Sequence, residues 1–410
     1  ATTANVIANL VKTCIGTGML ALPNTVYLGG LIPAVLILII VPSWIVYCTK
    51  LITDCFCAFD TKPKADEDPY VLLAEKAFGK FGVFLLQCSF VITVYGIAVA
   101  YEITWNVLLS GLQWKEWGLP FFSQKWFWGV VYFFLACFLA LLKDLRALAK
   151  PSQMGNIFII SVSLIVIIYG IWKYGLHIDS SHLMWSSPLD LAKLFGVVCY
   201  SLGIAVIGPT SYNTMKKPEE YTKALISSVI IAVLVYMSLG VLGALSYSND
   251  PHQIDPLVIN NIPSNHPVYY ICCIGICFVA YFSYPVAVFP GILALESGIK
   301  ESEEGEGYFV KNKKRIALRI FMTLLVTFIS IVFPNFKGVV SLIGCLTISF
   351  VTFIFPPLIH YVLVPQTKAK QVRDIILALL GVCTMVIATE ADLMRSEERR
   401  VGKECRSRWS

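Results

Sequence analysis

Two short strings hold the residue types most able to grip a small charged molecule. The first is Ile15-Gly16-Thr17-Gly18-Met19-Leu20-Ala21-Leu22-Pro23, set inside a long apolar stretch. A glycine costs a helix interior about 1 kcal/mol and a proline about 3 kcal/mol, so this cluster predicts a helix that opens near its middle. The second is Tyr200-Ser201-Leu202-Gly203, with Gly208 and Pro209 close behind it, and it weakens another apolar stretch in the same way. An opened helix frees N–H and C=O groups that must meet a cavity or a ligand. The half-helix restarting near Met19 turns its positive end to the break and suits a carboxylate. Thr17 and Ser201 add hydroxyls, although each can also bond back to its own helix. The glycines would equally serve as packing notches between helices. Their matched positions in two halves of the chain favour a ligand site.

A third group is Glu102, within Val99-Ala100-Tyr101-Glu102-Ile103-Thr104. A carboxylate deep in an apolar run is expensive and marks a functional candidate, here for proton exchange; the alternative is a glutamate reaching water at a helix end. Lys12 lies near the other end of its stretch and is expected to extend its amine to water. The histidines fall in loops or near a span end. The sequence shows no Ser-His-Asp set, no Walker-type phosphate loop, no paired carboxylates and no cysteine spacing backed by histidine that would suit a metal. Neither an enzyme nor a resident cofactor is expected.

The elements that position these strings follow from composition. Of 410 residues, 57% are hydrophobic and 14% charged, against roughly 25% charged in a soluble domain. Mean hydropathy is +0.72. Apolar runs of about 18 residues or more recur, each long enough to cross a bilayer. We read eleven transmembrane helices over 5–28, 31–53, 81–112, 126–142, 154–172, 193–213, 222–245, 267–297, 315–334, 337–364 and 371–389, with a surface helix over 70–78. The fold class is all-α membrane protein. Loops on one side of this layout hold 20 Lys and Arg and those on the other hold 5, which places the N-terminus in the cytosol. Spans one to five (5–172) and six to ten (193–364) are nearly equal in length and, being odd in number, opposite in topology. That suggests a 5+5 inverted repeat with helices 1 and 6 broken and 371–389 as an extra helix. One transmembrane domain therefore fills 1–393.

The terminal stretch from Arg395 to Ser410 reads like the translation of a sequencing-library adapter and is set aside. Removing its six Lys/Arg and three Asp/Glu lowers the formal charge from +6 to +3, so nucleic acid is not an expected partner. A segment preceding Ala1 is also expected.

Three motifs resemble the amino acid/auxin permease family, nearest its proton-coupled amino acid transporter branch: Ile15 to Pro23; Met215-Lys216-Lys217-Pro218-Glu219-Glu220-Tyr221, with Asn213 before it; and Leu73-Ala74-Glu75-Lys76-Ala77-Phe78-Gly79. The resemblance implies a LeuT/APC-like fold and uptake of amino acids, small neutral ones above all, by alternating access. It places the substrate carboxylate on backbone N–H groups around Ile15, Gly16, Thr17, Gly18 and Met19, and the ammonium on carbonyls around Tyr200, Ser201, Leu202 and Gly203. Ser283, in Tyr281-Phe282-Ser283-Tyr284-Pro285, joins the site on the same ground. Two departures bear on coupling. Asn9 stands where the branch has a histidine, and Leu202 stands where it often has a glutamate, so that proton relay is missing and the coupling ion is H+ or Na+. The resemblance admits a plasma membrane or a lysosomal or endosomal membrane. An amino acid sensor on the same fold is the alternative to a carrier; an ion channel lacks its pore-loop signature.

Overall fold

The computed structural model describes residues 2–58, 68–141, 146–177, 180–184, 187–251, 253–296 and 313–408. Many of the loop charges behind the expected orientation, among them Lys62, Lys64, Lys143, Lys300 and Lys311, lie outside these residues. The described chain is helical with no strand.

The first apolar stretch divides into α1 (Thr3–Cys14), a 3-10 turn (Thr17–Ala21) and α2 (Leu22–Gly29). The Thr2 hydroxyl accepts from the Asn5 amide at 3.3 Å and caps α1, which satisfies one of its orphan donors. Next come α3 (Leu31–Ala58), α4 (Pro69–Ser110), α5 (Lys125–Ala140) and α6 (Arg146–Tyr174). Asp68 caps α4 through the Tyr70 amide at 2.8 Å. Gly79 interrupts α4 at φ 61°, a value glycine adopts without strain. It separates the surface helix expected at 70–78 from the crossing that follows.

The second broken stretch is α7 (Pro188–Ser201) and α8 (Ile204–Thr214). It begins five residues earlier than the span expected at 193, because Ser187 caps the helix through the Leu189 amide at 3.2 Å and Pro188 fills its first position. α9 (Tyr221–Met237) runs through a π turn into α10 (Gly243–Tyr247). α11 (Pro267–Glu296) and α12 (Lys313–Val332) follow. α13 (Phe336–Ile343) reaches α14 (Phe355–Leu363) through π turns at Gly344–Ile348 and Phe350–Ile354, and α15 (Lys368–Arg408) ends the described chain.

Among the described residues, eight helices are long and apolar enough to cross a membrane, and the pair α1 and α2, bent by 45°, makes a ninth crossing if taken together. The other two expected spans are shorter: α5 has 16 residues, and α7 and α8 are split by their break. Phe134, Phe138, Ile168, Trp172, Leu234, Ile274 and Ile387 are each more than half exposed. Facing water such surface would drive association; facing hydrocarbon it is at home.

The broken helices are held by close crossings. A Cβ added at Gly196 would sit 2.5 Å from both the Cys345 sulfur and the Ser341 carbonyl, and one added at Gly344 would strike the Gly196 backbone. Small residues at such a crossing let two backbones touch. Gly344→Val should therefore destabilise the protein by about 3 kcal/mol or more, read as a lower melting temperature in detergent, whereas Gly155→Ala, whose Cβ would meet only ordinary contacts at 3.8 Å, should cost far less.

Candidate functional site

The break between α1 and α2 is built from backbone. Ile15 is extended at φ −83°, ψ 90°, and Gly16 at φ −131°, ψ −178°. The ladder ends with the Ile15 amide on the Val11 carbonyl at 3.0 Å and resumes with the Met19 amide on the Gly16 carbonyl at 3.3 Å. The amides of Gly16, Thr17 and Gly18, between those two, meet no acceptor among the described residues. Three successive N–H groups at the start of a helix form a nest for an anion.

In the second break, Leu202 and Gly203 leave the helical conformation, and the Ile204 amide folds back onto the Leu202 carbonyl at 2.5 Å. The two breaks face each other. A Cβ added at Gly18 would lie 2.5 Å from the Tyr200 ring and 3.0 Å from the Ser201 hydroxyl. Thr17 and Ser201 are 1% and 5% exposed, and the hydroxyl of each is without a partner among the described residues. Neither is bonded back to its own helix, the alternative left open by the sequence.

Gly16 differs from Gly18. No atom lies within 4 Å of a Cβ added there, so the first glycine of the nest opens on free space while the second is pressed against α7. Ile15, Met19 and Leu202 pack their side chains into the core, which leaves their backbone groups to the break. Ser283, on α11, and Tyr200 both lie near the Tyr101 phenol. Asn9 is exposed on α1, its carbonyl accepting from Thr13 at 3.1 Å.

Glu102 is fully buried, so the water-facing alternative does not hold. Its hydrogen-bond donor, Thr327 at 3.1 Å, lies on α12 rather than on a broken helix.

One residue that ties the breaks together escaped the sequence. Tyr236 of α9, fully buried, places its hydroxyl 2.6 Å from the Cys14 carbonyl and 2.7 Å from the Ser201 carbonyl. A phenol has one hydrogen to donate, so it serves the two carbonyls in turn. The available signal was a hydroxyl-bearing aromatic in the middle of an apolar span, where it needs a partner. Tyr236→Phe leaves both carbonyls without this donor and should cost about 1–3 kcal/mol, measurable as a lowered melting temperature that Phe substitution of an exposed tyrosine such as Tyr361 does not produce.

Comparison with known proteins identifies the fold and the family. The solved structure of MhsT in complex with L-phenylalanine superimposes with a TM-score of 0.51 at 13% identity, covering 94% of this chain and 98% of that one. Vacuolar amino acid transporter 3 of Saccharomyces cerevisiae is 22% identical across 93% of this chain. Amino acid transporter AVT3C of Arabidopsis thaliana is 25% identical across 94% of this chain and 89% of its own length, and human solute carrier family 38 member 10 is 23% identical across 96% of this chain. The chain spans 55% of the length of the yeast relative and 35% of the human one. A family model described as transmembrane amino acid transporter protein matches residues 1–391, stopping short of the stretch set aside above. The chain is a multi-pass membrane protein and belongs to the transmembrane amino acid transporter family.

Proposed function

We propose that this chain is a secondary carrier of small neutral amino acids, with the substrate held between the two breaks. The observation that carries the reading is the run of three unbonded amides at Gly16, Thr17 and Gly18 facing the opened end of α7. An amino acid is a zwitterion whose two charges stand one carbon apart, so its site needs both poles side by side, and the two breaks touch at Gly18, Tyr200 and Ser201. The amide nest takes the carboxylate, and carbonyls of the α7 break, with the Thr17 and Ser201 hydroxyls, take the ammonium. The side chain of the substrate then meets Tyr200, Tyr101 and Ser283.

The same proposal includes eleven crossings in two inverted halves, a cytosolic N-terminus, and coupling to an H+ or Na+ gradient. Breaks in the first helix of each half support it, since alternating access then needs only a tilt of these helices about a fixed site. Relatives named as vacuolar transporters favour an internal membrane over the cell surface. A sensor on this fold would bind amino acid without moving it. Counterflow of labelled amino acid in proteoliposomes decides between them: exchange supports the carrier, and binding without exchange supports the sensor.

Gly16 supplies the sharper test. Its extended conformation suits any residue, and a Cβ meets nothing there. Gly16→Val should fold normally yet fill the space in front of the nest. Uptake should fall at least about 100-fold, the loss of roughly 3 kcal/mol of charge-assisted hydrogen bonding, at unchanged melting temperature and surface expression. Normal uptake by this variant would remove the nest from the site.

A further inference from the structure

We propose that Glu102 and Asn106 of α4, with Thr327 and Ser330 of α12, form a binding site for a monovalent cation, and that the ion is Na+. The pairs are spaced by four and by three residues, so each presents both side chains on one face of its helix. The faces meet: Thr327 donates to Glu102 at 3.1 Å, and the Asn106 amide donates to the Ser330 hydroxyl at 3.4 Å. Ser330 spends its own hydrogen on the Thr327 carbonyl at 2.9 Å, which leaves its oxygen to act as an acceptor. Gly129 of α5 closes the third side, where even a Cβ would come within 3.3 Å of the Asn106 amide.

Two oxygens in this cluster are orphans. Glu102 Oε1 and Asn106 Oδ1 have no hydrogen-bond donor among the described residues, although Glu102 is fully buried and Asn106 is 2% exposed. A buried carboxylate without a countercharge is costly and requires compensation. The titratable groups beside it are the phenols of Tyr132 and Tyr284, which carry no positive charge; Tyr132 is bonded to the Ala280 carbonyl at 3.1 Å and Tyr284 to Thr323 at 3.4 Å. Arg319, two turns back on α12, is paired with Glu296 at 2.6 Å.

The donor set selects the ion. Glu102, Asn106, Thr327 and Ser330 contribute five oxygens between them and no nitrogen lone pair or thiolate, which suits a hard cation. One carboxylate balances one charge, and no group of three or more His, Cys, Asp or Glu that could hold a metal ion occurs among the described residues, which argues against a divalent or transition metal. A proton would occupy a single oxygen and leave the convergence of four side chains without a purpose. The site deepens the carrier reading by naming its coupling ion and rests on that reading for its role, but occupancy can be measured with no amino acid present.

The test is the melting temperature of the purified full chain in detergent, titrated with NaCl against choline chloride at constant ionic strength and pH, without amino acid. The wild type should gain stability saturably with Na+. Thr327→Val, which keeps shape and removes one oxygen, should weaken the apparent Na+ affinity by about ten-fold, the equivalent of 1.4 kcal/mol, and Glu102→Gln should abolish the response. Gly16→Val should keep it, which separates this site from the nest: loss of uptake in Gly16→Val with an intact Na+ response leaves both proposals standing, and normal uptake in Gly16→Val overturns the nest alone. No Na+-dependent gain in the wild type overturns the sodium site, as does a gain retained in Thr327→Val. So does stabilisation by lowered pH instead of Na+, lost in Glu102→Gln, which would make the cluster a proton site.

Discussion

A peptide group in hydrocarbon has no water to turn to, and this requirement organises the molecule. Helices satisfy it internally, which is why the described chain is built from them. At two places the sequence gives up the helix, and the freed groups must be answered by something else. Part of the answer is Tyr236, whose hydroxyl is shared by one carbonyl from each break. The amides of Gly16, Thr17 and Gly18 receive none from the described residues. The contrast matters: at the first break the Cys14 carbonyl is tied to the scaffold while three amides are left open, so this break carries the unbalanced positive end of a helix dipole and selects for an anionic group.

The rest of the packing serves to keep the breaks in register. Gly196 and Gly344 bring α7 against the first π turn after α13, and Gly18 brings the opened α1–α2 junction against Tyr200 and Ser201. On the far side of α4, Glu102 and Asn106 face α12 with their own polar partners. The helix thus carries Tyr101 toward the breaks on one face and Glu102 toward α12 on another, a consequence of roughly 100° between successive residues.

Much of this was legible because lipid simplifies the reading. Long apolar runs mark crossings, and glycine and proline inside them have few explanations; the breaks at Ile15–Gly16 and Leu202–Gly203 lie within the strings singled out by composition alone. The surface helix expected at 70–78 ends where Gly79 turns the chain. What resisted were features that depend on where another helix lies. Tyr236 is one tyrosine among nineteen, and only the approach of both breaks gives its hydroxyl a role. The π turns at Gly344–Ile348 and Phe350–Ile354 carry no local signal that separates them from ordinary helix. Glu102 stood out by its charge, but Thr327, which donates to it, and Ser330 beside Asn106 are residue types that membrane helices often bond back to themselves.

The central claim is that the open amides are the carboxylate's binding site, and an experimental structure with a bound neutral amino acid measures this directly. The account predicts both carboxylate oxygens near the break, with at least two of the amides of Gly16, Thr17 and Gly18 at about 2.7–3.2 Å. A ligand bound elsewhere, or the same three amides capped by protein groups in the complex, would contradict it.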